Sequence, residues 1–238
     1  MKPLISIIIP VYNHAHTLRR TFDCINKQTY RNVEVILVND GSTDNLEGVI
    51  KTIKCDFSLK VINQTNKGAS CARNVGFKEA KGELVIFWDA DTIAKPEMLA
   101  VLVRALEAAP LAAYAYSQFK FGWKKFYCQA FNAEDLKRYN YIDTTSLIRA
   151  SALSGIPNGP FDESLLRFQD WDLWLTLLEN GYTGTFVSRV LYKKITKRGG
   201  LSMGGWTATY FSLLMPWRTK RKILYNQGRE IVLRKHKL

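Results

Sequence analysis

The 238 residues are most informative first for what they lack. No stretch approaches 18 uninterrupted apolar residues, so no helix is expected to span a bilayer. The four cysteines, Cys24, Cys55, Cys71 and Cys128, show no CxxC spacing and no histidine nearby, which argues against a zinc site and a disulfide framework alike. Internal repeats, low-complexity segments and a convincing linker are missing as well, so one domain with a tail is expected. The most telling shortage is of acid: 21 Asp and Glu stand against 34 Lys and Arg, a net charge of +13. That imbalance predicts attraction to an anion, whether nucleotide phosphate, nucleic acid or an acidic membrane surface. Met1-Lys2-Pro3 runs directly into Leu4 to Ile9, which with Pro10 fits a core strand better than a signal peptide. The cytoplasm is the expected compartment.

What is present alternates. Apolar, β-branched runs at Ile5 to Ile9, Val33 to Val38, Leu59 to Ile62 and Leu84 to Trp88 read as strands. Between them lie helical patterns: one from about Thr17 with Leu18, Phe22 and Ile25 on one face, one with Leu46, Val49, Ile50 and Ile53, and one through Ala72-Arg73-Asn74. Pro96 opens another, with Met98, Leu99, Leu102, Val103 and Leu106 at helical spacing. Strands alternating with helices of this length predict βαβ units and a mostly parallel sheet, an α/β fold. After Pro110, strand-like runs at Ala112 to Phe121, Tyr141 to Ile148 and Thr185 to Tyr192 predict a small antiparallel extension, with a helix from Gln169 ended by Gly181.

Polar residues collect where three successive strands end: Tyr12-Asn13, Asp40 and Asp89-Ala90-Asp91. A parallel sheet brings those ends together, at the crevice where open α/β sheets bind ligands. Two acids there can hold a divalent cation and, through it, nucleotide phosphates. Each residue also has a plain structural alternative. An Asp-x-Asp caps helices, Asp40-Gly41-Ser42 is turn chemistry, Tyr12 can cap a core, and Asp170 can be an N-cap.

Taken in order, Pro10-Val11-Tyr12-Asn13, Val38-Asn39-Asp40-Gly41-Ser42-Thr43-Asp44, Asn66-Lys67-Gly68 with Ala72-Arg73-Asn74, Asp89-Ala90-Asp91 and Gln169-Asp170-Trp171 resemble glycosyltransferase family 2. These are inverting nucleotide-sugar transferases with a GT-A fold, and the resemblance covers roughly residues 4 to 200. It implies a Rossmann-like, mostly parallel central sheet flanked by helices. Pro10, Val11, Tyr12, Asn13, Asp40, Asn66, Gly68, Arg73, Asp89 and Ala90 would then hold the nucleotide, Tyr12 stacking on the base and Asp40 accepting the imide N–H of uracil. Asp91, with Asp89 beside it, would bind Mn²⁺ or Mg²⁺ at the diphosphate. Lys197 or Arg198 would stabilise the leaving group, although a solvated basic loop reads equally well there. Asp170 would be the general base, with Thr145, Gln169 and Trp171 facing the acceptor; Gln169 departs from the family's usual Glu.

The implied reaction is inverting, metal-dependent transfer of a hexosyl or N-acetylhexosaminyl group from a nucleotide sugar, a UDP-sugar by preference, to a hydroxyl of a lipid-linked or cell-surface glycan. Two other readings compete. A sugar-phosphate nucleotidyltransferase would carry a Gly-rich basic signature after the first strand, where Tyr12-Asn13-His14 stands. A basic nucleic-acid-binding protein suits the charge but leaves the strand-end acids unexplained, so no nucleic-acid partner is expected. Residues 1–204 are expected to form the transferase domain, and 205–238 an aromatic and basic extension with a helical tail. From Trp217 onward eight basic residues face one acid, Glu230. Together with Trp206, Tyr210, Phe211 and Trp217 they suggest a peripheral contact with an anionic membrane at the inner face of the cell.

Overall fold

The computed structural model describes residues 2–195 and 216–238, with side chains from residue 223 onward in the second segment. Lys197, Arg198 and the aromatic stretch through Met215 lie outside the described residues. The order of elements begins β1 (Ile5–Val11), α1 (Ala15–Asn26), β2 (Val33–Asp40), α2 (Leu46–Thr52), β3 (Ser58–Gln64), α3 (Ala69–Lys78) and β4 (Leu84–Phe87). It continues β5 (Thr92–Ala94), α4 (Met98–Ala108), β6 (Ala112–Phe121), β7 (Lys124–Lys125), α5 (Ala133–Arg138), β8 (Leu147–Arg149), α6 (Ala150–Ser154), α7 (Gln169–Glu179), β9 (Thr183–Lys194) and α8 (Pro216–Lys235).

Among the described residues the strands make one sheet, in the order β3-β2-β1-β4-β8-β6-β9-β5, with β7 beside β6. The first four are parallel, with Ile7 opposite Val35 on one side and Ile86 on the other. Alternation sorts their side chains. Ile5, Ile7, Ile9, Val35, Leu37 and Ile86 pack with Leu18, Phe22, Met98 and Leu102 on one face. Ile8, Ile36, Val38, Val85 and Phe87 pack with Ala72, Trp171, Trp174 and Val232 on the other. A sheet apolar on both faces must be covered by helices on both, as it is. The β4 ladder ends at Phe87 opposite Ile8, whereas β1 continues beside β2 to Val11, so Pro10 lies beyond the β4 pairing. The strand order turns back between β1 and β4, the point at which open α/β sheets bind ligands beyond the strands' carboxyl ends.

The second half of the sheet is mixed rather than antiparallel. β8 runs antiparallel to β4 and β6, but β9 is parallel to β6, with register shifts along the pairing. The run Tyr141 to Ile148 is mostly not strand, because Asp143 closes a turn: its Oδ2 accepts the Thr145 N–H at 3.0 Å and its carbonyl accepts the Ser146 hydroxyl at 2.6 Å. α1 begins at Ala15, two residues before Thr17, because Asp44 from the β2 end accepts the Ala15 N–H at 2.8 Å. Among the described residues, the end of α8 packs on α7: Val232 is buried completely, and His236, just beyond the helix, nearly so.

Candidate active site

The loops after β1 and β2 are sewn together by Asn13. Its Oδ1 accepts N–H groups from Thr43 at 2.8 Å and Asp44 at 3.3 Å, and its N–H donates to the Ser42 hydroxyl at 3.0 Å. Asn13 holds φ 54 to do so, a conformation asparagine tolerates better than most residues. Its side chain therefore shapes the rim. Beside it Tyr12 leaves 47% of its surface exposed, a free aromatic face at the mouth, while Val11 is buried in the wall.

Asp40 is 3% exposed, and its carboxylate organises the next turn. Oδ1 accepts from Gln64 Nε2 and Lys67 N, both at 2.8 Å, and Oδ2 accepts from Gly68 N at 2.9 Å. Gly41 (φ +73) makes this turn possible, since a Cβ there would lie 2.7 Å from the Asn66 nitrogen. Each carboxylate oxygen can accept two donors, so only Oδ2 keeps a free site.

The centre is an ion-pair cluster around Asp89. Arg73 from α3 donates to its Oδ1 and Lys194 from β9 to its Oδ2, both at 2.8 Å. Lys194 also donates to Asp143 Oδ1 at 2.6 Å, and Asp143 Oδ2 accepts the Tyr192 hydroxyl at 2.9 Å. Burial alone would push the Asp89 carboxyl up, but Lys194 and Arg73 outweigh it and hold it well below the usual carboxylate range. Burial would likewise strip the proton from Lys194, and Asp143 with Asp89 more than reverses this.

The neighbouring acids behave differently. Burial first, and then the charge of Asp89, push Asp91 up to about 6. Burial first, and then Asp143, push Asp170 up to about 6 against the Trp171 N–H, Lys194 and Arg73. The Asp170 Oδ1 accepts that N–H at 2.9 Å, at the first turn of α7. Four carboxylates (Asp89, Asp91, Asp143, Asp170) therefore interact with two cations (Arg73, Lys194), an anionic excess inside a strongly basic protein.

Several expectations are revised by these contacts. Arg73 is 8% exposed and spends its guanidinium on Asp89 and on Gln169 Oε1 at 3.0 Å, so it orders the acids instead of presenting a cation to base or phosphate. Gln169 accepts from Arg73 and donates to the Leu165 carbonyl at 2.8 Å, which fixes its carboxamide and leaves one N–H and one lone pair for other partners. Trp171 is a core residue: it is 1% exposed, and its indole N–H donates to the Leu136 carbonyl at 2.6 Å. Thr145 is buried too, its hydroxyl without a partner among the described residues. Ala90 contributes its backbone, whose carbonyl accepts the Thr21 hydroxyl at 2.7 Å. Local pattern does not single out Lys194 or Asp143 as site residues. The parity of β9 places Lys194 on the same face as Tyr192, and that alternation was the one signal available.

The donor chemistry suits a hard divalent cation, since carboxylates suit Mg²⁺ and Mn²⁺. Each Asp89 oxygen already faces one cation, Arg73 on Oδ1 and Lys194 on Oδ2, whereas Asp91 has no ion pair among the described residues, so Asp91 is the freer of the two ligands. No three His, Cys, Asp or Glu side chains among the described residues converge to hold a metal unaided. Oxygens from a phosphate would have to complete the coordination, the usual arrangement for Mg²⁺.

A crevice at the switch point of a Rossmann-like sheet, lined by acids, is the architecture of GT-A transferases, and solved structures agree. S. aureus TarS in complex with UDP matches with a TM-score of 0.70 at 22% identity, over 81% of this chain and 60% of that one. The mannosyltransferase PcManGT from Pyrobaculum calidifontis, in complex with GDP-Man and Mn²⁺, matches with a TM-score of 0.67 at 21% identity, over 86% of this chain and 60% of that one. The family model Glycosyl transferase family 2 matches residues 6–174, and the chain belongs to that family. Among its relatives, the glycosyltransferase GlyG of Streptococcus pneumoniae is 40% identical over 45% of this chain and 36% of its own length. The uncharacterized glycosyltransferase RP339 of Rickettsia prowazekii is 34% identical over 72% of this chain and 58% of its own. The chain thus spans less than two thirds of the relatives it matches.

Proposed function

We propose that the chain is a metal-dependent inverting glycosyltransferase that moves a sugar from a UDP-sugar to a hydroxyl of a glycan or lipid-linked acceptor. The carrying observation is the cluster of acids at the strand ends, with Asp89 ion-paired to Arg73 and Lys194 at 2.8 Å and Asp91 and Asp170 close enough to interact with the same charges. Tyr12 offers its exposed ring to the base, and the remaining acceptor site of Asp40 Oδ2 takes the imide N–H of uracil. Arg73 and Lys194 keep Asp89 ionised and fixed toward the ribose. A divalent cation held by Asp91 would supply the positive charge that eases departure of the diphosphate. Lys197 or Arg198 are proposed to add to that charge. Asp170 takes the acceptor's proton as its oxygen attacks the anomeric carbon from the side opposite the leaving group.

Substituting Asp170→Asn tests this reading. Donor turnover falls by roughly 10²–10⁴-fold, the worth of a general base, while diphosphate binding survives. Turnover at the original rate would require another base. The acceptor side is placed at an anionic membrane surface, supported by the exposed Ile223, Leu224 and Ile231 of α8 together with its excess of basic residues. No helix among the described residues is long and apolar enough to cross a membrane.

A further inference from the structure

α8 lies beyond the 6–174 segment that the family model matches, yet it closes on the start of α7. The Tyr225 ring meets the Phe168 ring at 4.9 Å between centroids, tilted by 65°. Gly228 comes so close that a Cβ would lie 3.2 Å from the Phe168 ring and 3.3 Å from Arg167 Cβ. The Arg229 guanidinium sits 5.9 Å from the centre of the Trp171 ring. Lys235 Nζ and His236 Nε2 donate to the Asp172 carboxylate at 3.0 and 2.9 Å. The other nitrogen of His236 lies 2.8 Å from Glu179 further along α7.

The segment's other ties are few: the Phe168 carbonyl accepts the Asp172 N–H at 2.9 Å, and Gln169 joins the Leu165 carbonyl and Arg73. Phe168, the residue before α7, has φ 60 and ψ 24, a left-handed conformation that a bulky side chain keeps only where its surroundings impose it. It makes no side-chain cap to the helix. Two residues on, the Asp170 carboxylate accepts the backbone N–H of the next residue, Trp171. The aim of the carboxylate is thus set by where α7 begins.

We propose that α8, with the His236 that follows it, is a brace that positions the catalytic base: Tyr225 and Gly228 hold the left-handed bend at Phe168, and His236 ties down Asp172 in the next turn, so that Asp170 keeps its aim. This rests on the reading of Asp170 as base. The charged groups acting on Asp170 come from other elements, Asp143 before β8, Lys194 on β9 and Arg73 on α3. α8 therefore acts through position and burial. Tyr225, Gly228 and His236 are positioning residues, not catalytic ones.

The test uses the full chain with Gly228→Val, which wedges the helix off Phe168, and Tyr225→Ala, which removes its contact. Hydrogen exchange would be read for residues 166–174 and, as a control, for β1 and β2. Titration of the Asp170 carboxyl would be followed by carbon NMR, its signal identified by loss in Asp170→Asn. Exchange in 166–174 rises about tenfold or more in both variants while the strands keep their protection. The Asp170 midpoint drops below about 6 as water reaches it, and calorimetric affinity for UDP with Mn²⁺ is unchanged. Unaltered exchange and midpoint overturn the brace. Exchange that rises equally throughout the sheet also overturns it, because α8 is then ordinary core. If Asp170→Asn keeps full donor turnover, the base assignment fails, while the exchange experiment still decides whether α8 orders α7.

Discussion

At the scale of single residues, what distinguishes the pocket is which acids have a cation and which do not. Asp89 has two, at 2.8 Å each, and stays ionised through any working pH. Asp170 interacts with the same cations only at longer range, and its carboxyl rises to about 6. A base must be deprotonated to act, so with saturating Mn²⁺ and donor, which hold Asp91 ionised, log kcat should fall with slope near one as pH drops below about 6 and level off above it. A profile flat down to pH 4.5 would contradict the assignment. Lys194 offers a second prediction. Lys194→Met leaves Asp143 without a cation and Asp89 with Arg73 alone, both carboxylates partly buried, so stability should fall by less than the ~3–5 kcal/mol of a fully buried pair, read as a lowered denaturation midpoint. Asp89, Asp91 and Asp170 were legible because each stands at a strand end or helix start with a local signature. Asp143 and Lys194 were not, being 51 residues apart and joined only by the fold. Gln169 and Arg73 were legible as site residues but not in their roles, since a guanidinium between two partners and one facing solvent look alike in sequence.

Among the elements, the helices show where local pattern is enough and where it is not. α4 and α7 follow their apolar spacing, and Gly181 (φ +79) ends α7 as a C-terminal glycine should. α1 starts early because its N–H partner comes from the far end of β2, which no local pattern carries. Tyr141 to Ile148 looks like strand by composition, but Asp143 and Ser146 satisfy its backbone in a turn instead. The docking of α8 adds a pH dependence. Burial would lower the His236 pKa, but its hydrogen bonds to Asp172 and Glu179 outweigh it and raise it above its ordinary value. Folding thus favours the protonated ring. The contribution is fully present below the unfolded value of about 6.5 and is lost as pH rises through the higher folded value. His236→Ala should therefore lower stability by roughly 1–3 kcal/mol at pH 6 and by less at pH 9, measured by urea denaturation. A difference that grew with pH would reverse the sign of this account.

For the whole molecule, the parallel half of the sheet could be read directly from alternation and helix spacing, whereas the direction of β9 could not. Its partner β6 lies some seventy residues earlier, and strand pattern carries no direction. The net charge of +13 is not located at the acids of the pocket, so it belongs to the surface. If α8 lies on an anionic membrane, replacing Ile223, Leu224 and Ile231 together by serine should abolish sedimentation with phosphatidylglycerol vesicles at low salt. These side chains are solvent-exposed, so the fold should be spared. Equal sedimentation of the two proteins would leave the basic surface without a membrane partner.

The central claim is that acids at the strand ends bind a nucleoside diphosphate through a divalent cation. Calorimetric titration with UDP, GDP and dTDP, each in Mn²⁺ and in EDTA, tests it directly when run on the original chain and on Asp91→Ala. The account predicts binding of UDP that disappears in EDTA and in the variant, with GDP and dTDP weaker. Binding that persists unchanged in EDTA, or no binding of any of the three, would contradict it.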